Sequence, residues 1–249
     1  MELKGSVAIV TGCTGGLGQR ISRALAESGA QVVGVYVQSK EQAEAFAVEW
    51  SALGPRCIAV QADVNDPQQI ARLVDRAMGE YGRIDILVNN AAFNQLVPFK
   101  DLDGLTLELW NHILLSNLTS PLMCVKAVAP IMRQQKRGRI VNVASIAGLA
   151  PLGSSIAYAV SKAGLIHLTR CLAIALGPDV AVNAVAPSTM IGTRMTTRLD
   201  PALVERTTKN AALQKPVERD DVAHQIVEFC RSDSTTGQVL VLDSGVVYH

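Results

Sequence analysis

Tyr158 and Lys162 stand four residues apart at the start of Tyr158–Leu176, a stretch whose apolar spacing predicts a helix. On a helix that spacing puts both side chains on one face. A free phenol titrates near ~10. An ammonium beside it favours the phenolate and draws the phenol toward the range useful for proton transfer with a reacting oxygen. Ser145 directly follows a predicted strand, Arg139–Ala144, so its hydroxyl falls at the carboxyl edge of the sheet that strand joins. Open α/β sheets bind their ligands at that edge. The Tyr–Lys spacing alone also describes an ordinary solvated helix pair, so the surrounding sequence has to decide.

A second group of residues lies near the N-terminus. Thr11-Gly12-Cys13-Thr14-Gly15-Gly16-Leu17-Gly18 follows the apolar run Val7–Val10 and leads into a helical pattern, Leu17–Ser28. Glycines let the backbone turn tightly and approach a pyrophosphate closely. The helix opening at Leu17 then aims its unpaired N–H groups and positive dipole end at that charge. A strand before and a helix after raise this pattern above a turn that does nothing but turn. The dinucleotide fingerprint normally carries an acid about 20 residues further on, where it holds the ribose 2′-OH of NAD. Tyr36 stands there instead, in Val35-Tyr36-Val37-Gln38-Ser39-Lys40, and the first acid after it is Glu41. A 2′-phosphate then meets no repulsion, and Ser39 and Lys40 offer it a hydroxyl and a positive charge. NADP(H) is expected over NAD(H), by a moderate margin, because Lys is a point charge and not a bidentate clamp.

The elements that must position these groups recur along the chain. Val7–Val10, Gln31–Val35, Cys57–Gln61, Ile84–Val88, Arg139–Ala144, Val180–Ala186 and Gln238–Leu242 are nearly continuous apolar runs, as strands covered on both faces should be. Helical patterns such as Glu41–Leu53 and Gln68–Tyr81 lie between them. Alternating strands and helices predict right-handed crossovers and one doubly wound parallel sheet of Rossmann type, with about seven strands. No repeat or linker divides the 249 residues, so a single domain over 1–249 is expected.

Composition narrows the partners. With 49% hydrophobic and 18% charged residues the chain is not a disordered one. Its 23 Lys+Arg against 22 Asp+Glu leave a net charge of +1, which removes the electrostatic case for nucleic acid or an anionic membrane. Uninterrupted apolar runs fall short of a bilayer span, and the N-terminus lacks the layout of a signal peptide. A cytoplasmic protein is expected. Five scattered cysteines fit reduced thiols, and neither they nor His112, His167, His224 and His249 have metal-ligand spacing. Cys13 has no neighbour that would lower its thiol pKa. Arg133–Arg139 (RQQKRGR) reads as a solvated helix terminus, the alternative being a dock for an acidic carrier protein.

Taken together, the glycine turn, Asn89-Asn90-Ala91 after the fourth strand, Ser145, and Tyr158-x-x-x-Lys162 resemble the short-chain dehydrogenase/reductase family from Leu3 to about Gly245. Within it the chain looks most like β-ketoacyl carrier-protein reductases and naphthol-type carbonyl reductases; Tyr36-x-x-Ser39 is similar to the NADP-using members of the latter. The resemblance implies an NAD(P)-dependent interconversion of a carbonyl and an alcohol. Tyr158 would be the general acid or base, Lys162 would lower its pKa and bond the nicotinamide ribose, and Ser145 would polarise the substrate oxygen. Asn117 would carry a water relay to the Lys. Besides Gly12, Thr14, Gly16, Leu17, Gly18, Tyr36, Ser39 and Lys40, the cofactor would meet Asp63 and Val64 at the adenine. Asn90 and Ala91 would line its ribose, with Pro187, Ile191 and Thr193 beside the nicotinamide. A homotetramer is implied by analogy alone.

The chain departs from the family pattern at Ala92 and Ser188, each in place of Gly, and at Asp243-Ser244-Gly245 in place of Asp-Gly-Gly. An extra residue precedes Ile191, and the 232–236 loop is shorter. Met190–Gln214, with Met190, Arg194, Met195, Arg198 and a short helix from Pro201, corresponds to the family's mobile substrate lid, and its Met residues suit a small-molecule substrate with an apolar part. The alternatives are a catalytically inactive nucleotide-binding sensor, which has no use for the four-residue set, and a sugar-nucleotide epimerase, which needs a longer domain after Lys162.

Overall fold

The structure is a computed structural model and describes residues 1–193, 196–198 and 201–248, without the side chains of 198 and 201–203. Arg194 and Met195 of the expected lid, the side chain of Arg198, and His249 therefore lie outside the described residues. The elements in chain order are β1 (Val7–Thr11), α1 (Gly18–Glu27), β2 (Gln31–Tyr36), α2 (Lys40–Ser51), β3 (Ile58–Gln61), α3 (Pro67–Tyr81), β4 (Ile86–Asn89) and α4 (Leu107–Leu114). A π-turn (Leu115–Thr119), α5 (Ser120–Gln134), β5 (Gly138–Val143), α6 (Ile156–Leu176), β6 (Val180–Pro187), α7 (Pro201–Asn210), α8 (Arg219–Arg231) and β7 (Val239–Leu242) follow.

The seven strands form one parallel sheet in the order β3-β2-β1-β4-β5-β6-β7, a Rossmann-type arrangement. The strand sequences are continuously apolar because each strand feeds two cores. Ala8 and Val10 of β1 join Ile21 and Leu25 of α1, Trp50 of α2 and Ile226 of α8 on one face. Val7 and Ile9 join Ile70 and Leu73 of α3, Val125 of α5 and Leu172 of α6 on the other. Each fully buried Ile or Leu stabilises this arrangement by about 1.5–3 kcal/mol. The chain builds outward from β1 to β3, then crosses back to lay β4 on the other side of β1. That reversal opens a crevice beyond the carboxyl ends of β1 and β4.

Sequence and structure differ at some element ends. The expected strand at Ile84 starts at Ile86, because Gln135 takes the Ile84 backbone, accepting from its N–H at 3.2 Å and donating to its carbonyl at 2.8 Å. The fully buried Asp85 carboxylate next to it accepts from Val7 N at 2.9 Å and from both arms of Arg83. The basic run is solvated only in part: Arg133, Gln134 and Lys136 are exposed, and Arg139 is buried. Arg133 donates to Ala175 O at 2.6 Å, Arg137 donates to Glu2 O at 2.7 Å, and Arg139, largely buried, pairs with Asp233. Leu107–Gln134 and α6 do have the length and mean hydropathy of a bilayer span, although no run in them is uninterrupted; here their apolar faces pack in the fold.

Candidate active site

Helix α6 begins two residues before the expected start because Ser155 caps it, accepting from Tyr158 N at 3.2 Å. Tyr158 and Lys162 lie one turn apart and both are buried, at 4% and 3% exposure. Lys162 Nζ sits 5.7 Å from the Tyr158 ring centroid and donates to Val143 O, at the end of β5, at 2.8 Å. Ser145 stands just past β5, after Ala144, with its hydroxyl within reach of the Tyr158 phenol. Its Oγ also accepts from Ala147 N at 3.2 Å, which fixes the hydroxyl. The structure thus gathers Ser145, Tyr158 and Lys162 at the carboxyl edge of the sheet.

The electrostatics run against the simple expectation. Burial pushes the Tyr158 phenol up to about 12, and the Ser145 hydrogen bond offsets only part of that. Burial likewise pulls Lys162 down from 10.5 to about 8. Desolvation is the larger cause, and Nζ of Lys162 donates to the Val143 carbonyl. At neutral pH the phenol therefore keeps its proton, the form that can donate one.

Asn117 lies in the π-turn between α4 and α5. Its Oδ1 accepts from Phe93 N at 2.8 Å, and its Nδ2 donates to Phe93 O at 2.9 Å and Ser161 Oγ at 3.1 Å. Both amide donors are spent on positioning, and neither goes to Lys162. His112 packs edge-on against Phe93 at 4.4 Å between centroids.

The glycine turn joins β1 to α1. Gly12 has φ +67°, and a Cβ at Gly18 would collide with the Gly12 carbonyl, so both positions require glycine. Asn90 Nδ2 donates to Thr11 O at 2.8 Å and Gly12 O at 3.2 Å. Thr11 Oγ1 accepts from the N–H groups of Asn90 and Ala91 at 2.9 and 3.0 Å. These bonds tie the ends of β1 and β4 together, so the side chain of Asn90 serves as a strut. The first turn of α1 carries no side-chain cap and no acid. A turn that only glycine can follow, opening an uncapped helix end, fits a pyrophosphate. Burial pushes the Cys13 thiol inside this turn up to about 12, the inert direction.

Further along the same edge, Tyr36 ends β2, buried, and its carbonyl accepts from Ala62 N at 2.9 Å, which brings Asp63 and Val64 alongside. Asp63 accepts from Asn65 N at 2.9 Å. Ser39 and Lys40 are exposed, and Lys40 pairs loosely with Glu44 at 3.8 Å. Pro187 ends β6. Beyond it Ile191 is exposed, and Thr193 bonds within its own loop, to Met190 O at 3.3 Å and Thr196 Oγ1 at 3.1 Å. The chain returning from α7 is fastened to the C-terminal turn, Leu213 N to Ser244 O at 2.9 Å and Ala212 N to Gly245 O at 3.1 Å. Asp243 holds that turn by accepting from Gly245 N and Val247 N.

Several residues in this arrangement were not singled out from sequence. Ser155 had a signal, three residues before Tyr158 as an N-cap requires. Thr11 stands in the turn motif, but its role needs β4 beside it. Ser161 and Arg219 have no local signal.

A Rossmann-type sheet with a buried phenol–ammonium pair and a serine at its carboxyl edge defines an oxidoreductase domain. A family model for short chain dehydrogenase matches residues 6–203. Ketoacyl reductase 2 of the granaticin polyketide synthase of Streptomyces violaceoruber is 40% identical, over 96% of this chain and 95% of its own. The 3-oxoacyl-[acyl-carrier-protein] reductase of a Synechocystis species is 36% identical, over 98% of each chain. Among solved structures, one named as a short-chain alcohol dehydrogenase of Sinorhizobium meliloti superposes with a TM-score of 0.90 at 30% identity, covering 98% of this chain and 97% of that one. The chain belongs to the short-chain dehydrogenase family and is an oxidoreductase of it.

Proposed function

We propose that this protein is an NAD(P)(H)-dependent enzyme that interconverts a 3-oxoacyl-type carbonyl and its secondary alcohol, one Rossmann domain over 1–249 with residues 190–214 as substrate lid. The observation that carries the reading is the gathering of Ser145, Tyr158 and Lys162 at the same carboxyl edge of the sheet as the glycine turn. The ketoacyl and 3-oxoacyl reductase names of its relatives support the substrate class. A bound nicotinamide would supply or accept the hydride at the carbonyl carbon. Ser145 holds the substrate oxygen, Tyr158 O–H gives that oxygen a proton, and Lys162 beside it stabilises the phenolate left behind. Run backwards, the phenolate takes the alcohol proton. Asn117 positions Phe93 and Ser161 around the pair and would carry a water relay to Lys162.

Gly12, Thr14, Gly16, Leu17 and Gly18 would cradle the pyrophosphate, Asp63, Val64, Asn90 and Ala91 the adenosine half, and Pro187, Ile191 and Thr193 the nicotinamide. NADP(H) is the preferred cofactor in this reading, because Tyr36 supplies no carboxylate and the exposed Lys40 is only loosely held by Glu44. The inactive-sensor alternative finds no support in a site where the whole set is assembled. The homotetramer carries over by analogy, supported by Ile174 and Val160, exposed at 86% and 43% on α6. A cytoplasmic setting is supported by five unpaired cysteines.

The test is Tyr158→Phe. Turnover should fall by roughly 10²–10⁴, the range for a lost general acid, while dinucleotide affinity, read by nicotinamide fluorescence, stays intact. Turnover within a few-fold of wild type would remove Tyr158 from the reaction.

A further inference from the structure

Arg219 opens α8, far from every motif, yet its guanidinium reaches the glycine turn. One of its nitrogens donates to Gly16 O at 3.3 Å and to Gly192 O at 3.1 Å. The two carbonyls belong to segments 176 positions apart, the turn after β1 and the loop after β6. They also touch directly: a Cβ at Gly16 would collide with the Gly192 carbonyl and come within 3.1 Å of Thr193 Cα. In the sheet, β4 and β5 stand between β1 and β6. At strand spacing the 190–193 loop therefore bridges roughly 14 Å, passing over the carboxyl ends that hold Asn90 and Ser145.

Three features make the guanidinium the fastening of this bridge. Gly192 sits at φ +79°, and any Cβ there would press on the guanidinium at 3.1–3.2 Å, so the loop is shaped around it. Thr193 spends its N–H and hydroxyl inside the loop, so those groups do not reach the glycine turn. Of the two acids flanking Arg219, Asp220 lies 3.6 Å from Arg20 of α1 and Glu218 forms no ion pair with Arg219 among the described residues, which leaves the Arg219 charge to the two carbonyls.

We infer that Arg219 is a latch: it shuts the 190–193 bridge onto the glycine turn, and its release sets how fast a dinucleotide enters and leaves the crevice below. This rests on the dinucleotide reading of the site, and it assigns Arg219 a positioning role. A latch that must open in both directions slows association and dissociation alike and leaves the equilibrium nearly unchanged.

Two measurements separate the latch from the reading on which it rests. In protein purified free of dinucleotide, Arg219→Met should speed amide hydrogen exchange at Gly192 and Thr193 about ten-fold, the factor given by about 1.4 kcal/mol, with Arg219→Lys in between. In stopped flow with NADPH fluorescence, Arg219→Met should raise both the association and dissociation rates by a similar factor and change the dissociation constant less than about three-fold. The Lys variant keeps the charge at the helix end, so it reads the latch even if the Met variant unfolds. Unchanged exchange at 192–193 in these variants overturns the latch, as does a lost affinity with no gain in association rate, which would make Arg219 a plain phosphate contact. Failure of the wild-type protein to bind either nicotinamide would sink the proposed function, while the exchange measurement would still decide on the latch.

Discussion

Replacing Lys162 by Met removes a buried ammonium while keeping the length of the side chain, and the structure fixes how the result depends on pH. In the unfolded chain the lysine holds its proton up to 10.5; in the folded chain burial brings that down to about 8. Between those values the unfolded state binds more protons, so the Lys162 contribution to stability rises with pH and is at its worst below about 8. The full difference corresponds to about 3 kcal/mol, of which roughly 2–3 kcal/mol is recovered between pH 7 and pH 10. Losing the bond from the neutral amine to Val143 O costs about 0.5–1.5 kcal/mol at every pH; what the charge adds to that bond is already part of the shift. Tyr158, Cys13, Cys124 and Cys230, all pushed up to about 12, lose stability toward high pH and cancel in the comparison. Urea unfolding at pH 7, 8, 9 and 10, read by the buried Trp50, should show the variant losing its standing against wild type by roughly 2–3 kcal/mol across the series. A difference that stays flat with pH would show that the ammonium is not desolvated and would refute the burial argument.

Lys162→Ala should damage both turnover and dinucleotide affinity, whereas Lys215→Ala, at an exposed position outside the motifs, should change neither; steady-state kinetics and fluorescence titration check both. Tyr36→Asp should reverse a wild-type preference for NADP(H) of tens-fold, about 2 kcal/mol, by setting a carboxylate against the 2′-phosphate. A wild-type preference for NADH in kinetics with both cofactors would overturn that reading. Thr11→Val leaves the Asn90 and Ala91 N–H groups without their acceptor, so denaturant unfolding should record a loss of ~2–4 kcal/mol.

The sheet was legible in the sequence because each strand is covered on both faces, which writes a continuous apolar run that a short window can detect. Ser145, Tyr158 and Lys162 were legible for a similar reason: their spacing along one strand end and one helix is already their arrangement in space. What stayed hidden depends on parts of the chain that meet only after folding. The sign of the Tyr158 shift is a sum over surrounding atoms, not a property of its nearest charge. In the partly solvated Arg133–Arg139 run, the partners of Arg133 and Arg139, Ala175 and Asp233, come from distant parts of the chain. Ile84 carries the composition of a strand residue, and only the position of Gln135 takes it out of the ladder. Arg219 meets Gly16 across 203 positions, which no local pattern encodes.

The hydrogen bonds from Ala212 and Leu213 to Gly245 and Ser244 carry a practical consequence for handling the protein. Residues 243–247 are the floor to which the end of the 190–214 excursion is moored, and the Asp243 carboxylate keeps that floor in shape. An affinity tag fused after residue 249 would tug on that mooring and distort the kinetics it was added to help measure. A tag at the other terminus would disturb the Met1 amino group, which pairs with Asp233 beside the end of α8 on the opposite edge of the sheet. A removable purification handle placed ahead of Met1 leaves the mooring of the 190–214 excursion untouched.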